Sequence, residues 1–208
     1  MPQTTCVHCS GPLPLPRRSD MRYCSGSCRV LATRRRKAAE AARIRAERAG
    51  GVPAELRAKA RWVRHVNKRP TRCDLPRWAS VTDPSTWSDH AAAVDSTVGD
   101  GIGFVLTRSD NIVVIDLDHA VEDGRLLPWA QRIVDALPAT YTERGRSGTG
   151  LHLWFRGTVP AGRRIRRGEM AVEVYADGRY IILGDRVSGT PLDLAELPDA
   201  AAVIASLV

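Results

Sequence analysis

A mixed α/β fold (mixed α+β, with a sheet that is not purely parallel) follows from three features of the sequence. Short β-branched and aromatic runs (GIGFVLT, NIVVIDLDH, LHLWFRG, MAVEVYA, RYIILGDR) crowd its second half. Stretches with helical composition lie before, between and after them. Turn signals separate several runs by a few residues, which favours hairpins beside longer crossovers. Ahead of this mixed core stand four cysteines in two close pairs within residues 6–28 and a run rich in arginine. The expected division is a cysteine module over 1–29, a basic helical linker over 30–60 and the main domain over 61–208.

The chain has 208 residues, 43% hydrophobic and 26% charged, enough for one packed domain and a small appendage. It shows no apolar run of membrane-spanning length and no signal-peptide pattern, so no membrane partner and a cytoplasmic location are expected, with thiols kept reduced. The net charge of +8 divides unevenly, into +14 for residues 1–72 and −6 for 73–208. A basic front of that size fits a polyanion, nucleic acid above all; the plainer reading is a solvated helix.

Taken in order, RVLATRRRKAAEAARIRAERA (29–49) reads as an exposed basic helix stopped by Gly50-Gly51. Pro53 opens a second helix, to about Val66. After a loop dense in Pro, Asp and Ser, Thr86 to Ala93 reads as a short helix. GIGFVLT and NIVVIDLDH, with Asp110-Asn111 between them, predict a hairpin. LLPWAQRIVDAL (126–137) reads as a helix ended by Pro138, three more strands follow, and a helix over 193–207 closes the chain.

Four constellations carry chemistry. Cys6-x-x-Cys9 with Cys24-x-x-x-Cys28 has zinc-ligand spacing; four thiolates fill a tetrahedral Zn²⁺, a structural role, and a module this small needs such a staple. Cys73 stands apart and reads as incidental. Asp116 and Asp118 end a buried-strand run on one side of it, where two carboxylates about 5 Å apart repel by roughly 3 kcal/mol at an effective dielectric near 20. Binding Mg²⁺ or Mn²⁺ relieves that; a simple turn after the strand is the alternative. GRSGTGLHLWF (145–155) places a glycine-rich loop, suited to an anion or merely to a hairpin, before a strand on which His152 and Trp154 share one face. In MAVEVYA, Glu173 lies on the face of Ala171 and Tyr175, a carboxylate amid apolar neighbours that needs a partner, unless this is an edge strand in solvent.

The ordered set IDLDH (115–119), SGTGLH (147–152) and VEVY (172–175), preceded by KRPTRCDLPRWASVTDPSTW (68–87), resembles the archaeo-eukaryotic primase superfamily in the primase–polymerase (prim–pol) form found in phages and plasmids. The resemblance covers roughly residues 60–190 and implies a prim–pol catalytic core over the main domain. It implies that Asp116, Asp118 and Glu173 hold two catalytic Mg²⁺ or Mn²⁺ ions and that His152, with Ser147 and Gly148, contacts the nucleotide triphosphate. Arg179 and Lys68 are further expected nucleotide contacts, and Arg69 a template or nucleotide contact. LGDR (183–186) departs from the Thr-Gly or Pro-rich pair of relatives. Implied partners are single-stranded DNA template, NTPs or dNTPs and a separate replicative helicase, in a host cytoplasm if the gene is a phage's. Zinc modules accompany primases of this superfamily.

Two other readings compete. A non-catalytic, zinc-containing nucleic-acid-binding regulator would use the basic front alone. A haloacid-dehalogenase-type phosphatase also ends a strand in DxD, but it continues with Gly-Thr and needs a later lysine; here His119-Ala120 follows, and residues 120–208 contain no lysine.

Overall fold

The computed structural model describes residues 4–16, 18, 20–37 and 51–207. The chain divides into two compact units, residues 1–48 and 49–208.

In the first unit the chain turns tightly through residues 7–9 and closes an isolated antiparallel bridge between Thr5 and Pro12. A helix, α1 (26–37), follows, its Ser25 hydroxyl accepting from the Cys28 N–H at 3.1 Å as an N-cap. The predicted basic helix is thus present to residue 37, and its remainder lies outside the described residues.

The second unit holds two sheets. The smaller is antiparallel, β11-β3-β1-β2, built from β1 (Trp62–Val66), β2 (Arg69–Thr71), β3 (Gly101–Leu106) and β11 (Arg179–Ile182). The larger runs β12-β7-β8-β4-β10-β9, with β13 added parallel to β8. Its members are β4 (Ile112–Leu117), β7 (Thr142–Arg144), β8 (Leu151–Thr158), β9 (Arg163–Arg167), β10 (Met170–Tyr175), β12 (Asp185–Arg186) and β13 (Ala195–Asp199). The ribbon β5 (Val121–Glu122) and β6 (Arg125–Leu126) stands apart. The helices are α2 (Ala54–Arg57), α3 (His90–Asp95), α4 (Pro128–Ala136) and α5 (Ala200–Leu207).

Strand parity makes three layers of this. Val113, Ile115 and Leu117 of β4 face one side, with Leu153, Phe155, Val172 and Val174, and pack on Trp129 and Ile133 of α4 and Ile204 of α5. Ile112 and Val114 face the other side, where Trp154 meets Phe104 edge-on at 5.9 Å and Phe104 meets Trp62 at 5.2 Å, joining the two sheets. β4 is therefore covered on both faces, as its β-branched run requires.

Four expectations are corrected. The helix from Pro53 ends at Arg57, and residues 62–66 are strand: Trp62 and Val63 are fully buried and β-branched or aromatic, so pairing with β3 outweighs the helical composition just before them. The strands GIGFVLT and NIVVIDLDH form no hairpin. Asn111 adopts a left-handed φ of 52°, and the chain there leaves β3 in one sheet and enters β4 in the other. The C-terminal helix begins at Ala200, because 195–199 adds to β8 as β13. Residues 84–95 are two short helical pieces, Pro84–Thr86 and α3, each capped by an aspartate, Asp83 and Asp89.

Candidate active site

One row of paired residues crosses the larger sheet. Glu143 of β7 opposes His152 of β8, His152 opposes Asp116 of β4, Asp116 opposes Glu173 of β10, and Glu173 opposes Arg164 of β9. Directly opposed residues share a face, so all five side chains emerge on one side. Asp118 lies one pleat further along, its N–H bonded to the Ala171 carbonyl at 3.0 Å. Three motifs distant in sequence meet because β4 is central and both its neighbours are antiparallel to it.

The row borders a cavity of about 470 Å³ between the two sheets. Asp116, Asp118, His152 and Glu173 line one side, Tyr180, Ile181 and Ile182 of β11 another, and Lys68, Arg146, Ser147 and Arg179 complete the wall. Lys68 sits in the β1–β2 turn with a left-handed φ of 62°, and the Tyr180 hydroxyl donates to its carbonyl, tying that turn to β11. Gly148, with φ of 77°, makes the turn from Gly145, whose carbonyl accepts its N–H at 2.8 Å; it forms the loop rather than lining the cavity.

His152 is held from behind. Its Nδ1 lies 3.0 Å from Oε1 of the fully buried Glu143, and its Nε2 lies 3.7 Å from Asp116 Oδ1. Burial alone would lower the imidazole pKa, but the hydrogen bond and charge of Glu143 and the charge of Asp116 outweigh it and raise the pKa. Glu143 also accepts from Tyr141 Oη at 3.1 Å and Trp154 Nε1 at 3.2 Å. Burial pushes the Asp116 carboxyl up to about 6; His152 opposes this, while Asp118 and Glu173 add to it.

Arginines balance the acids. Arg166 reaches both Asp118 Oδ2 and Glu173 Oε1 at 3.5 Å, Arg164 lies 3.4 Å from Glu173 Oε1, and Arg179 lies 3.6 Å from Glu173 Oε2. The Tyr175 hydroxyl donates to Glu173 at 2.7 Å and accepts from Arg164 at 2.7 Å. A guanidinium thus bridges two of the three acids, whose oxygens are of the donor type that hard divalent cations take.

In the first unit, Cys6, Cys9, Cys24 and Cys28 place four sulfurs within 4.8 Å of one another, the one such group of three or more candidate ligands among the described residues. Sulfurs at 3.6 Å (Cys9 to Cys24) and 3.4 Å (Cys24 to Cys28) approach the edge of about 3.8 Å that a tetrahedron with Zn–S bonds of about 2.3 Å requires. The backbone N–H of Cys9 draws the Cys6 thiol down to about 6, while the sulfurs of Cys28 and Cys9 push Cys24 up to about 12. Cys73 is elsewhere, buried with its Sγ 3.8 Å from the Trp62 carbonyl.

Glu143, Arg146, Arg164, Arg166 and Tyr175 join the site without being among the site residues that the sequence patterns mark. A signal for the first existed: the turn GRSGTG, read as a hairpin, sets Glu143 opposite His152. The arginines of β9 carry no comparable mark.

Comparison with known proteins gives the family of the chain. The family described as bifunctional DNA primase/polymerase, N-terminal, matches residues 21–200. A DNA primase-polymerase of Nitratiruptor phage NrS-1 is 34% identical over 150 residues, 66% of this chain and 21% of the phage protein. The chain thus spans about a fifth of that relative's length. With the match reaching across all three motifs and both sheets, the chain belongs to the bifunctional DNA primase/polymerase (Prim-Pol) family.

Proposed function

We propose that this chain is a DNA primase–polymerase, a nucleotidyltransferase that joins nucleotides along a single-stranded DNA template in replication. The observation that carries the proposal is the row of His152, Asp116 and Glu173 on one sheet face, backed by the buried Glu143 and lining a cavity whose wall also holds Lys68, Arg146 and Arg179. Family membership and the similarity to a phage DNA primase-polymerase support it.

Asp116, Asp118 and Glu173 would hold Mg²⁺ or Mn²⁺, which when bound supplies charge stabilisation to the attacking and leaving oxygens of an in-line displacement at phosphorus. The protein's own groups do the positioning. His152 presents Nε2–H to a triphosphate oxygen, its ring fixed through Nδ1 by Glu143. Ser147 and the turn made by Gly148 cradle the same phosphates, and Lys68, Arg146 and Arg179 neutralise them. Arg164 and Arg166, which pair with Glu173 and Asp118 here, would be available to phosphate if those acids held cations instead. The cysteine quartet would hold a structural Zn²⁺. Unwinding would come from a separate helicase, in the cytoplasm of the host if the gene is a phage's.

The test is nucleotide incorporation on single-stranded DNA, with NTPs and dNTPs supplied separately, with and without a primer, in Mg²⁺ or Mn²⁺. We expect the Asp116→Asn, Asp118→Asn double variant to lose at least about a thousandfold in rate, since even one preorganised electrostatic contact contributes about 10²–10³. Unchanged incorporation in that variant refutes the assignment. DNA binding without synthesis in the wild type would favour a non-catalytic, zinc-containing nucleic-acid-binding regulator.

A further inference from the structure

We infer that Trp78 and Arg69 form a stacking platform for an unpaired base of single-stranded nucleic acid, beside the cavity of the candidate active site. The inference rests on the reading of that cavity as a site of templated synthesis, and deepens it by saying where the single strand is held.

The tryptophans of the chain divide sharply. Trp62 and Trp154 are fully buried, Trp129 is 7% exposed, and Trp87 is half-buried with its indole N–H donating to the Ser80 carbonyl at 2.6 Å. Trp78 alone of the five leaves more than half of its surface, 54%, in water. An exposed apolar side chain is ordinary in itself. Three further observations set this one apart.

The first is a fixed backbone. Trp78 bridges Thr71 of β2, the Ala79 N–H bonds to the Pro70 carbonyl at 3.0 Å, and the Arg72 N–H bonds to the Arg77 carbonyl at 2.8 Å. The ring is therefore carried on a short ribbon continuous with the smaller sheet. The second is a cation in contact, with the Arg69 guanidinium carbon 4.0 Å from the Trp78 ring centroid. Residues 68–78 hold four basic side chains, Lys68, Arg69, Arg72 and Arg77, against the single acid Asp74, which Arg72 takes up at 2.7 and 2.9 Å. The third is place: Lys68, adjoining Arg69, lines the cavity.

An aromatic face with Lys68, Arg69 and Arg77 around it fits a ligand that alternates flat bases with phosphates. Every base has a π-face, so such a platform tolerates any sequence, as a template strand demands. Peptide partners would instead seek a broader apolar patch or acidic side chains, and Ala79, next to Trp78, is already buried.

The experiment measures binding of the 208-residue chain to fluorescently labelled oligo(dT), and to an abasic oligomer of equal length, without metal or nucleotide. Trp78→Ala is expected to weaken oligo(dT) binding by about tenfold, the low end of aromatic–base stacking, and to leave the abasic oligomer unaffected. Trp78→Phe, which keeps a π-face, should stay within about threefold of wild type. Arg69→Ala should weaken both oligomers. Wild-type oligo(dT) affinity in Trp78→Ala overturns the platform, as it would if the ring served a protein partner. Equal loss on both oligomers, or equal loss in Trp78→Phe, overturns it as well, and unchanged binding in Arg69→Ala removes Arg69 from it. Because no synthesis is measured, loss of base binding in Trp78→Ala stands even if the polymerase assignment fails. Synthesis by the wild type with no such loss would sink the platform alone.

Discussion

The two units answer the same physical problem in opposite ways. Among the described residues of the first, Cys6, Leu13 and Ala32 are the buried ones, and one of the three is a candidate metal ligand. The second unit buries a continuous set of aliphatic and aromatic side chains on both faces of β4, in clusters built entirely from its own residues. Described residues that bury so little apolar surface need another source of folding free energy. On the proposed assignment the four sulfurs provide it, since a structural zinc site supplies about 10–16 kcal/mol of apparent binding free energy at neutral pH. The comparison therefore predicts its own largest effect. Chelation, or Cys9→Ser with Cys24→Ser, should abolish the ordered signals of residues 4–37 in an amide correlation spectrum. The thermal transition of residues 51–207 should move by no more than about 2 °C, the shift that about 0.5 kcal/mol produces in a domain of this size. A single cooperative loss of both sets of signals would break the contrast.

A smaller effect tests the second unit where its core turns polar. On one face of the larger sheet, Val114, Trp154 and Tyr175 pack against the smaller sheet, and one pleat along the same strands carry Asp116, His152 and Glu173. Glu143 joins the two zones, accepting from the core residues Trp154 and Tyr141 and from His152 of the site. Removing that acceptor strands two buried donors, Trp154 and Tyr141, and the part-buried His152, each buried donor costing about 1–3 kcal/mol when unmet. Glu143→Ala should thus destabilise the unit by about 3 kcal/mol in urea unfolding, while Glu143→Gln, which keeps an acceptor oxygen, should cost about 1 kcal/mol. Metal content of the cysteine quartet should change in neither. If Glu143→Ala costs under about 1 kcal/mol, the donors are reaching water and His152 is not held by Glu143.

How much of this was legible in the sequence depends on range. The β4 run, the parity of His152 against Leu151 and Leu153, and the placing of Glu173 with Ala171 and Tyr175 are local properties of single strands, and the structure carries each. Pairing is not local. β3 was expected beside β4 because turn formers separate them, yet its partners are β1 and β11, the latter more than 70 residues on. Residues 62–66 were lost to the helical composition of AELRAKA before them, although Trp62 and Val63 belong to a strand buried on both faces. The arginines of β9 read as surface charge, because their relation to Asp118 and Glu173 exists only once β9 pairs with β10.

The smallest predicted effect lies at that misjudged turn. Asp110 closes β3 and opens β4, and 8% of its side chain is exposed. Its carboxylate accepts from Arg61 Nε at 2.8 Å, Lys59 Nζ at 3.3 Å and Thr107 Oγ1 at 2.7 Å. These contacts fasten the segment entering β1 to the point where the chain passes from one sheet to the other. Burial by itself would raise this carboxyl, but the Thr107 and Arg61 hydrogen bonds and the Lys59 charge outweigh it and hold the pKa below the ordinary 3.8. A carboxyl depressed on folding contributes stability above its unfolded value and loses it as the pH falls through its folded one. Asp110→Asn keeps the shape and gives up the charge, so it should cost about 1 kcal/mol at pH 7, in the range of an ion pair whose cations, Lys59 and Arg61, stay about a quarter exposed. That difference should persist down to about pH 5 and shrink as the pH drops below 3.8, because the wild-type carboxyl then protonates and the two proteins converge. Urea midpoints at three pH values decide the matter. A difference that stays constant through acid would mean that the turn is held by the shape of Asn111 and the Thr107 hydroxyl, and that charge at Asp110 adds nothing to the passage between the sheets.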